Sequence, residues 1–305
     1  MNTTILEIKN VRKSFKDKEV LKDVNITVKK GSVYALLGAN GAGKSTLLKI
    51  VTGLLNCDNG KVTIKNIDVA DNPVLAQKLF SFSSQTTTVD GVLTGYENLH
   101  LIAKLRQERN PRKVAENLLD KFELTEAKDK AVSTYSGGMR RRLDLAMSLV
   151  GSPEIIFLDE PTTGLDPKSR QELWDTIKEM KSQGKTILLT TQYLEEADYL
   201  ADQIGFLREG EIVANGTPDE MKRLAGADKL LLVFNNHHNT ERALKLFEFY
   251  YPIKRADCEI SIDLDEEIET TLTVLNALTT EKIELKTFKM ITPTLDDVFM
   301  TLTKG

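Results

Sequence analysis

Cysteine is scarce: there are two in 305 residues, with one tryptophan and three histidines. Cys57 and Cys258 lie far apart and have neither CxxC nor zinc-ligand spacing. Both are expected as free thiols of a reducing cytoplasm. The three histidines are not expected to join them in a metal cluster. An excess of one charge is lacking too. The net charge of −4 gives no global pull toward nucleic acid or anionic lipid. No apolar run approaches the roughly 20 residues that a membrane span needs. The start, Met1-Asn2-Thr3-Thr4, has no basic segment leading into an apolar one, so no signal peptide is expected. Hydrophobic content of 41% and charged content of 28% are ordinary for a soluble globular chain. The length suits one large domain plus a small one, or two equal ones.

What is present centres on Gly38-Ala39-Asn40-Gly41-Ala42-Gly43-Lys44-Ser45-Thr46. Two glycines, four residues between them, then Lys and Ser form a phosphate-binding pattern. Its context fits: Val33 to Leu37 reads as a buried strand, and Leu47, Leu48 and Val51 follow at helical spacing. The glycines let the backbone approach a polyphosphate and aim N–H groups at it. The first helical turn adds unpaired N–H donors and the positive end of its dipole. Lys44 supplies a point charge for the terminal phosphates, and the Ser45 hydroxyl suits Mg²⁺.

Around this loop, residues 5 to 36 read as β structure, with Val24, Ile26 and Val28 alternating with polar residues. Phe15 falls in a loop between early strands, where it serves packing or stacks on an adenine ring, worth about 1–3 kcal/mol. Gly60 to Ile64 reads as another strand. Phe80 to Ser84 leads into Gln85 and a polar loop. Asn98 to Arg106 and Pro111 to Phe122 carry helical spacing, the second opened by Asn110-Pro111. Residues about 88 to 150 therefore read as a helical insert. The insert ends at Ser136-Gly137-Gly138, which opens a helix with a buried stripe of Leu143, Ala146, Met147 and Val150. Arg140, Arg141 and Arg142 fall mostly off that stripe and read as a solvated face, not a nucleic-acid patch.

Glu154 to Leu158 reads as a short apolar strand ending in Asp159-Glu160. A strand ending in paired carboxylates is the expected partner of a phosphate loop. Asp159 would hold Mg²⁺ through water, and Glu160 would act as general base on the attacking water. Thr186 to Thr191 reads as the next core strand and ends at Gln192. Residues 204–207 and 211–214 form a hairpin around Glu209-Gly210, and a capping box at Thr217 to Glu220 opens a further helix. Residues 227–305 alternate strand and helix, which predicts a small accessory α+β domain: strands at 230–234, 259–264 and 283–288, helices at 240–250, 266–278 and 295–302.

With these motifs in order, residues 1–226 resemble the ATP-binding subunit of an ABC transporter. The resemblance implies an α/β P-loop cassette with a mainly parallel core sheet, an antiparallel β subdomain and the helical insert. Ser136-Gly137-Gly138 is similar to the family's signature sequence, with Tyr135 where Leu is usual. In the family this signature touches ATP held by the other subunit, which implies a head-to-tail dimer of identical or paired cassettes. Gln85 matches the glutamine that meets Mg²⁺ and senses the membrane subunit. Phe15 matches the adenine-stacking aromatic, and Asp166 matches the loop that communicates across the dimer. Gln192 stands where His is usual; it can still donate a hydrogen bond to the γ-phosphate but cannot shuttle a proton.

Residues 190–198, residues 135–142 and Leu295-Asp296-Asp297-Val298-Phe299 resemble the daunorubicin-resistance exporter subunits. That group implies export through a separate polytopic permease of the ABC-2 type, with the chain on the cytoplasmic face of the membrane. No nucleic acid is expected as partner. The alternative is a soluble ABC ATPase, or a nucleotide-gated clamp acting on a non-membrane partner. A single phosphate loop and the lack of sustained heptads argue against the first. Glu160 argues against the second.

Overall fold

The structure is a computed structural model that describes residues 3–16, 18–86, 88–248, 250, 253–264 and 267–303. Tertiary contacts divide the chain into Met1–Pro218 and Asp219–Gly305.

The first unit opens with a hairpin, β1 (Thr4–Phe15) and β2 (Lys18–Lys29). In β2, Val24, Ile26 and Val28 are buried while Asn25 and Thr27 are exposed, as the alternation requires. Next come β3 (Val33–Leu37), α1 (Lys44–Val51), β4 (Asn59–Ile64), β5 (Ile67–Asp68), α2 (Pro73–Gln77) and β6 (Phe80–Ser83). The helical insert follows as α3 (Gly95–Leu105), α4 (Pro111–Lys121) and α5 (Gly137–Ser148). The chain returns to the sheet through β7 (Ile155–Asp159), α6 (Pro167–Ser182), β8 (Thr186–Thr191), α7 (Leu194–Leu200), β9 (Gln203–Arg208) and β10 (Glu211–Gly216). Helix α8 (Pro218–Arg223) then runs across the division between the units.

One sheet is antiparallel, in the order β2-β1-β4-β5; the other has six strands in the order β10-β9-β3-β8-β7-β6. In the six-stranded sheet every neighbouring pair is parallel except β10 with β9. Every residue of β3, β7 and β8 is buried, which is the pattern of parallel strands covered on both faces. Helix α3 starts three residues earlier than its apolar spacing suggests. Thr94 caps it, accepting from the Glu97 N–H at 3.1 Å while Glu97 accepts from the Thr94 N–H at 2.8 Å.

The second unit contains β11 (Asp228–Phe234), α9 (His237–Phe247), β12 (Ile253–Ala256), β13 (Glu259–Leu264), α10 (Glu267–Thr280), β14 (Leu285–Ile291) and α11 (Leu295–Thr303). Its sheet is antiparallel, in the order β12-β13-β11-β14. Leu230, Leu232, Phe234, Ile260 and Ile262 face Ala243, Phe247, Val274 and Leu278 of the helices in one core. Strand β12 is additional to the sequence reading. Helix α9 begins at His237, not near residue 240, because Asn236 caps it, its side chain accepting from the Asn239 N–H at 2.9 Å.

The expected solvated face of α5 is overturned at Arg141, which is only 5% exposed. Its guanidinium donates to the carbonyls of Pro161 (2.7 Å), Ser84 (2.9 Å) and Asp159 (3.4 Å), and lies 3.3 Å from Asp144. Asp144 is itself buried and also accepts from the Ser83 hydroxyl. A buried ion pair with satisfied hydrogen bonds is tolerated; half of it is not. Arg141→Ala is therefore expected to destabilise the first unit by about 3–5 kcal/mol. Urea unfolding followed by the fluorescence of Trp174, the lone tryptophan, measures this. An unchanged midpoint would return Arg141 to the solvated face.

Trp174 also reports on Glu196, a fully buried acid on α7. Its Oε1 accepts from Thr162 Oγ1 at 2.8 Å and Trp174 Nε1 at 3.0 Å. Desolvation raises its pKa above the ordinary 4.5, against hydrogen bonds from Thr191, Trp174 and Thr162 that lower it. The folded state thus holds this proton more tightly than the unfolded chain. The resulting stabilisation is complete below pH 4.5 and is lost as pH rises through the folded pKa. Glu196→Gln removes the titration, so its stability should fall less steeply than the parent's above pH 4.5. Parallel slopes in Trp174-monitored unfolding would contradict this.

Candidate active site

The phosphate loop runs from the end of β3 into α1. Gly38 is buried, and its N–H donates to the Thr191 carbonyl at 3.2 Å. A Cβ on Gly38 would lie 2.5 Å from the Leu207 carbonyl oxygen. Gly43 caps α1 at φ 114°, a left-handed conformation open to glycine. Asn40, Gly41 and Ser45 are exposed, Thr46 is half-buried, and Ala42 and Gly43 are buried. The two ends of the loop are therefore buried, and its tip, Ala39 to Gly41, is exposed.

Lys44 is 4% exposed and spans the loop. Its ammonium donates to the carbonyls of Gly38 (2.7 Å) and Ala39 (3.2 Å) and lies 3.2 Å from Glu160 Oε1. Gln85 Nε2 and Thr163 Oγ1 donate to Glu160 Oε2, each at 3.2 Å. Ser45 Oγ is 3.3 Å from Asp159 Oδ1, which also accepts from Thr190 Oγ1 at 2.6 Å. Serine hydroxyl, carboxylate and amide are hard oxygen donors, the set that suits Mg²⁺. Residues from both ends of the sheet motif thus meet. Lys44, Ser45, Thr46, Gln85 and Glu160 line one cavity of about 320 Å³ with Asn40, Gly41, Gly43 and Val20.

Glu160 sits at φ 46°, left-handed for a residue with a side chain. Such backbone costs on the order of 1–2 kcal/mol. The Glu160 N–H donates to Thr190 at both its carbonyl and its hydroxyl, each at 3.1 Å, which holds the turn. From this turn the Glu160 carboxylate reaches the Lys44 ammonium.

Other expected site residues stand outside that cavity lining. Phe15 is the last residue of β1, paired with Lys18, and not part of a longer loop. It is 46% exposed, with the Lys13 ammonium 5.6 Å from its ring centre. Gln192 follows β8 and is half-buried. Ser136 caps α5, its hydroxyl accepting from the Met139 N–H at 3.2 Å. Ser136 and Gly137 are exposed. A Cβ on Gly138 would meet Ser169 Oγ at 2.7 Å, so this helix start packs against α6. Asp166 caps α6, and hydrogen bonds from the Ser169 hydroxyl and backbone hold its carboxyl below the usual range. Sequence reading missed Arg141, whose hydrogen bonds join the Gln85 loop to the end of β7. Its local spacing carries no signal for this, because every partner carbonyl is distant in sequence or lies on the far side of the turn.

Comparison with known proteins identifies the family and the fold. A family model described as ABC transporter matches residues 21–163, and one for the DrrA1-3-like ATP-binding protein C-terminal domain matches residues 216–303. The chain is 38% identical over 299 residues to the daunorubicin resistance ATP-binding protein DrrA2 of Streptomyces coeruleorubidus, covering 96% of this chain and 93% of that one. It is 31% identical to the linearmycin resistance ATP-binding protein LnrL of Bacillus subtilis, covering 98% of each. Among solved structures, a dimeric ATP-binding cassette in a post-hydrolysis state bound to ADP and Pi superposes with a TM-score of 0.63 at 28% identity, over 70% of this chain and 98% of that one. The chain belongs to the ATP-binding subunits of ABC transporters: it is a nucleotide-binding ATPase cassette joined to a DrrA-type C-terminal domain.

Proposed function

We propose that this chain powers an ABC-2-type exporter by ATP-driven closure and hydrolytic opening of a head-to-tail pair of cassettes, identical or paired. The observation that carries the reading is the convergence of Lys44, Gln85 and Glu160 on one cavity while Ser136 heads a separate helix outside its lining. Within one chain Ser136 is not among the residues lining the phosphate-loop cavity. A second cassette turned head to tail supplies one, with Ser136, Gly137 and Gly138 offering a hydroxyl, open backbone and a helix N-terminus to the γ-phosphate. The resistance names of DrrA2 and LnrL support export, a membrane permease as partner and a position at the cytoplasmic face of the membrane. Among the described residues no helix is long and apolar enough to cross a membrane, so the substrate path belongs to that partner.

Each residue has a task. The loop glycines and the first turn of α1 hold the phosphates. Lys44 neutralises the terminal ones, and Phe15 stacks on adenine. Ser45, Asp159 and Gln85 are the residues that would hold Mg²⁺, which when bound offsets charge on the β- and γ-phosphates. Phosphate oxygens compete with Glu160 for the Lys44 ammonium. That competition frees the Glu160 carboxylate to accept a proton from the attacking water. Gln192 donates its amide N–H to the γ-phosphate.

Phosphate release by purified Glu160→Gln should fall by about 10²–10⁴, with ATP binding retained. A tagged Glu160→Gln chain, extracted from membranes with ATP and Mg²⁺, should bring a polytopic protein with it. Recovery solely with soluble partners would replace the exporter reading. Gln192→Ala should hydrolyse ATP more slowly than the parent, and equal turnover would remove Gln192 from the reaction.

A further inference from the structure

We propose that the C-terminal unit carries a transition-metal site formed by His237, Asp257 and Cys258. It lies outside the ATPase chemistry and does not rest on the exporter reading. In sequence Cys258 stands at least 20 residues from every histidine, and no metal spacing is visible. The fold cancels the separation. Asn236 starts α9 early and puts His237 in its first position. Asp257 and Cys258 form the turn between β12 and β13. The Phe234 N–H donates to the Cys258 carbonyl at 2.9 Å, which ties that turn to the end of β11, a short loop before α9.

One ligand atom from each of the three residues lies within 4.8 Å of the others. His237 Nε2 is 3.1 Å from Asp257 Oδ1. Donors around a tetrahedral ion, at bond lengths of about 2.0–2.3 Å, stand roughly 3.3–3.8 Å apart. Side-chain rotation is the movement the site would need to close the remaining gap. The plainer reading is an exposed ion pair that happens to sit beside a thiol. Two features favour a site instead: the donors are one nitrogen, one sulfur and one oxygen, and they converge from two separate elements.

The donor set selects the metal. Imidazole with thiolate suits Zn²⁺ or Co²⁺ and does not suit Mg²⁺, whose oxygen donors lie in the other unit. On ligation the Cys258 thiol gives its proton to solvent. Carboxylate and thiolate then balance a divalent charge, so the positive end of α9 does not oppose the ion. Three protein ligands leave a fourth position for water. The bound ion would staple the β12–β13 turn to the start of α9. Both His237 and Asp257 are exposed, at 65% and 82%, so the ion reaches them from solvent.

The test uses the full-length reduced protein titrated with Co²⁺, followed by absorption and by metal analysis after desalting. One Co²⁺ per chain is expected, with thiolate-to-cobalt charge transfer in the near ultraviolet and the visible bands of tetrahedral cobalt. Cys258→Ser should lose the charge-transfer band. His237→Ala should weaken binding by about tenfold or more. Cys57→Ser, in the other unit, should match the parent. Zn²⁺ should displace the cobalt. The proposal is overturned if no cobalt binds, if the band survives Cys258→Ser, if it is lost in Cys57→Ser, or if His237→Ala binds as tightly as the parent.

Discussion

A nearly buried ammonium has to be matched by negative charge, and that constraint organises the cassette. Lys44 emerges from the N-terminus of α1, the positive end of a helix, with little access to water. Two loop carbonyls and the Glu160 carboxylate meet it. Glu160 comes from the end of β7, which is not a neighbour of β3. Strand β8 lies between them. The match therefore depends on the whole parallel sheet being in register. Thr190 and Thr191, at the end of β8, fasten both sides: Thr190 binds Asp159 and Glu160, and the Thr191 carbonyl receives the Gly38 N–H. This is the carboxyl end of the parallel strands, where open α/β sheets place their ligands.

The same arrangement links the Glu160 carboxylate to helix α5. Glu160 is held in left-handed backbone, and Gln85 and Thr163 bind the carboxylate oxygen that Lys44 leaves. Arg141 ties the Gln85 loop, the turn after Glu160 and helix α5 into one buried network. Ser136 caps the start of α5, a little over one turn from Arg141. The capped start of α5 and the loops flanking the carboxylate thus belong to one hydrogen-bonded network. A packed polar network of this kind is rigid because breaking any one partner strands another in low dielectric.

Much of the active site is written locally. The phosphate loop needs glycine at positions of close approach, and those residues are contiguous. The strand before the loop, the strand ending in Asp159 and Glu160, and the alternation of β2 are likewise period and composition, readable without a fold. Helix starts were legible where the cap precedes a proline, as at Asn110-Pro111. They were misjudged at α3 and α9, where Thr94 and Asn236 cap ahead of the apolar stripe. The position of Phe15 was misjudged as well, because a tight hairpin cannot be told from a longer loop by composition.

Arg141 and the pair His237 and Cys258 show the limit. Arg141 sits where helical spacing predicts solvent, and it is buried because distant strand-end carbonyls close over it. His237 and Cys258 are unremarkable in sequence, and an antiparallel turn carries one to the other. Taken alone, the sequence determined the nucleotide chemistry, since phosphate binding is made by consecutive backbone and short motifs. Only the tertiary structure decided which charges are buried against each other and which ligands converge. Those outcomes depend on strand order and turn placement, contacts between residues that no local period records.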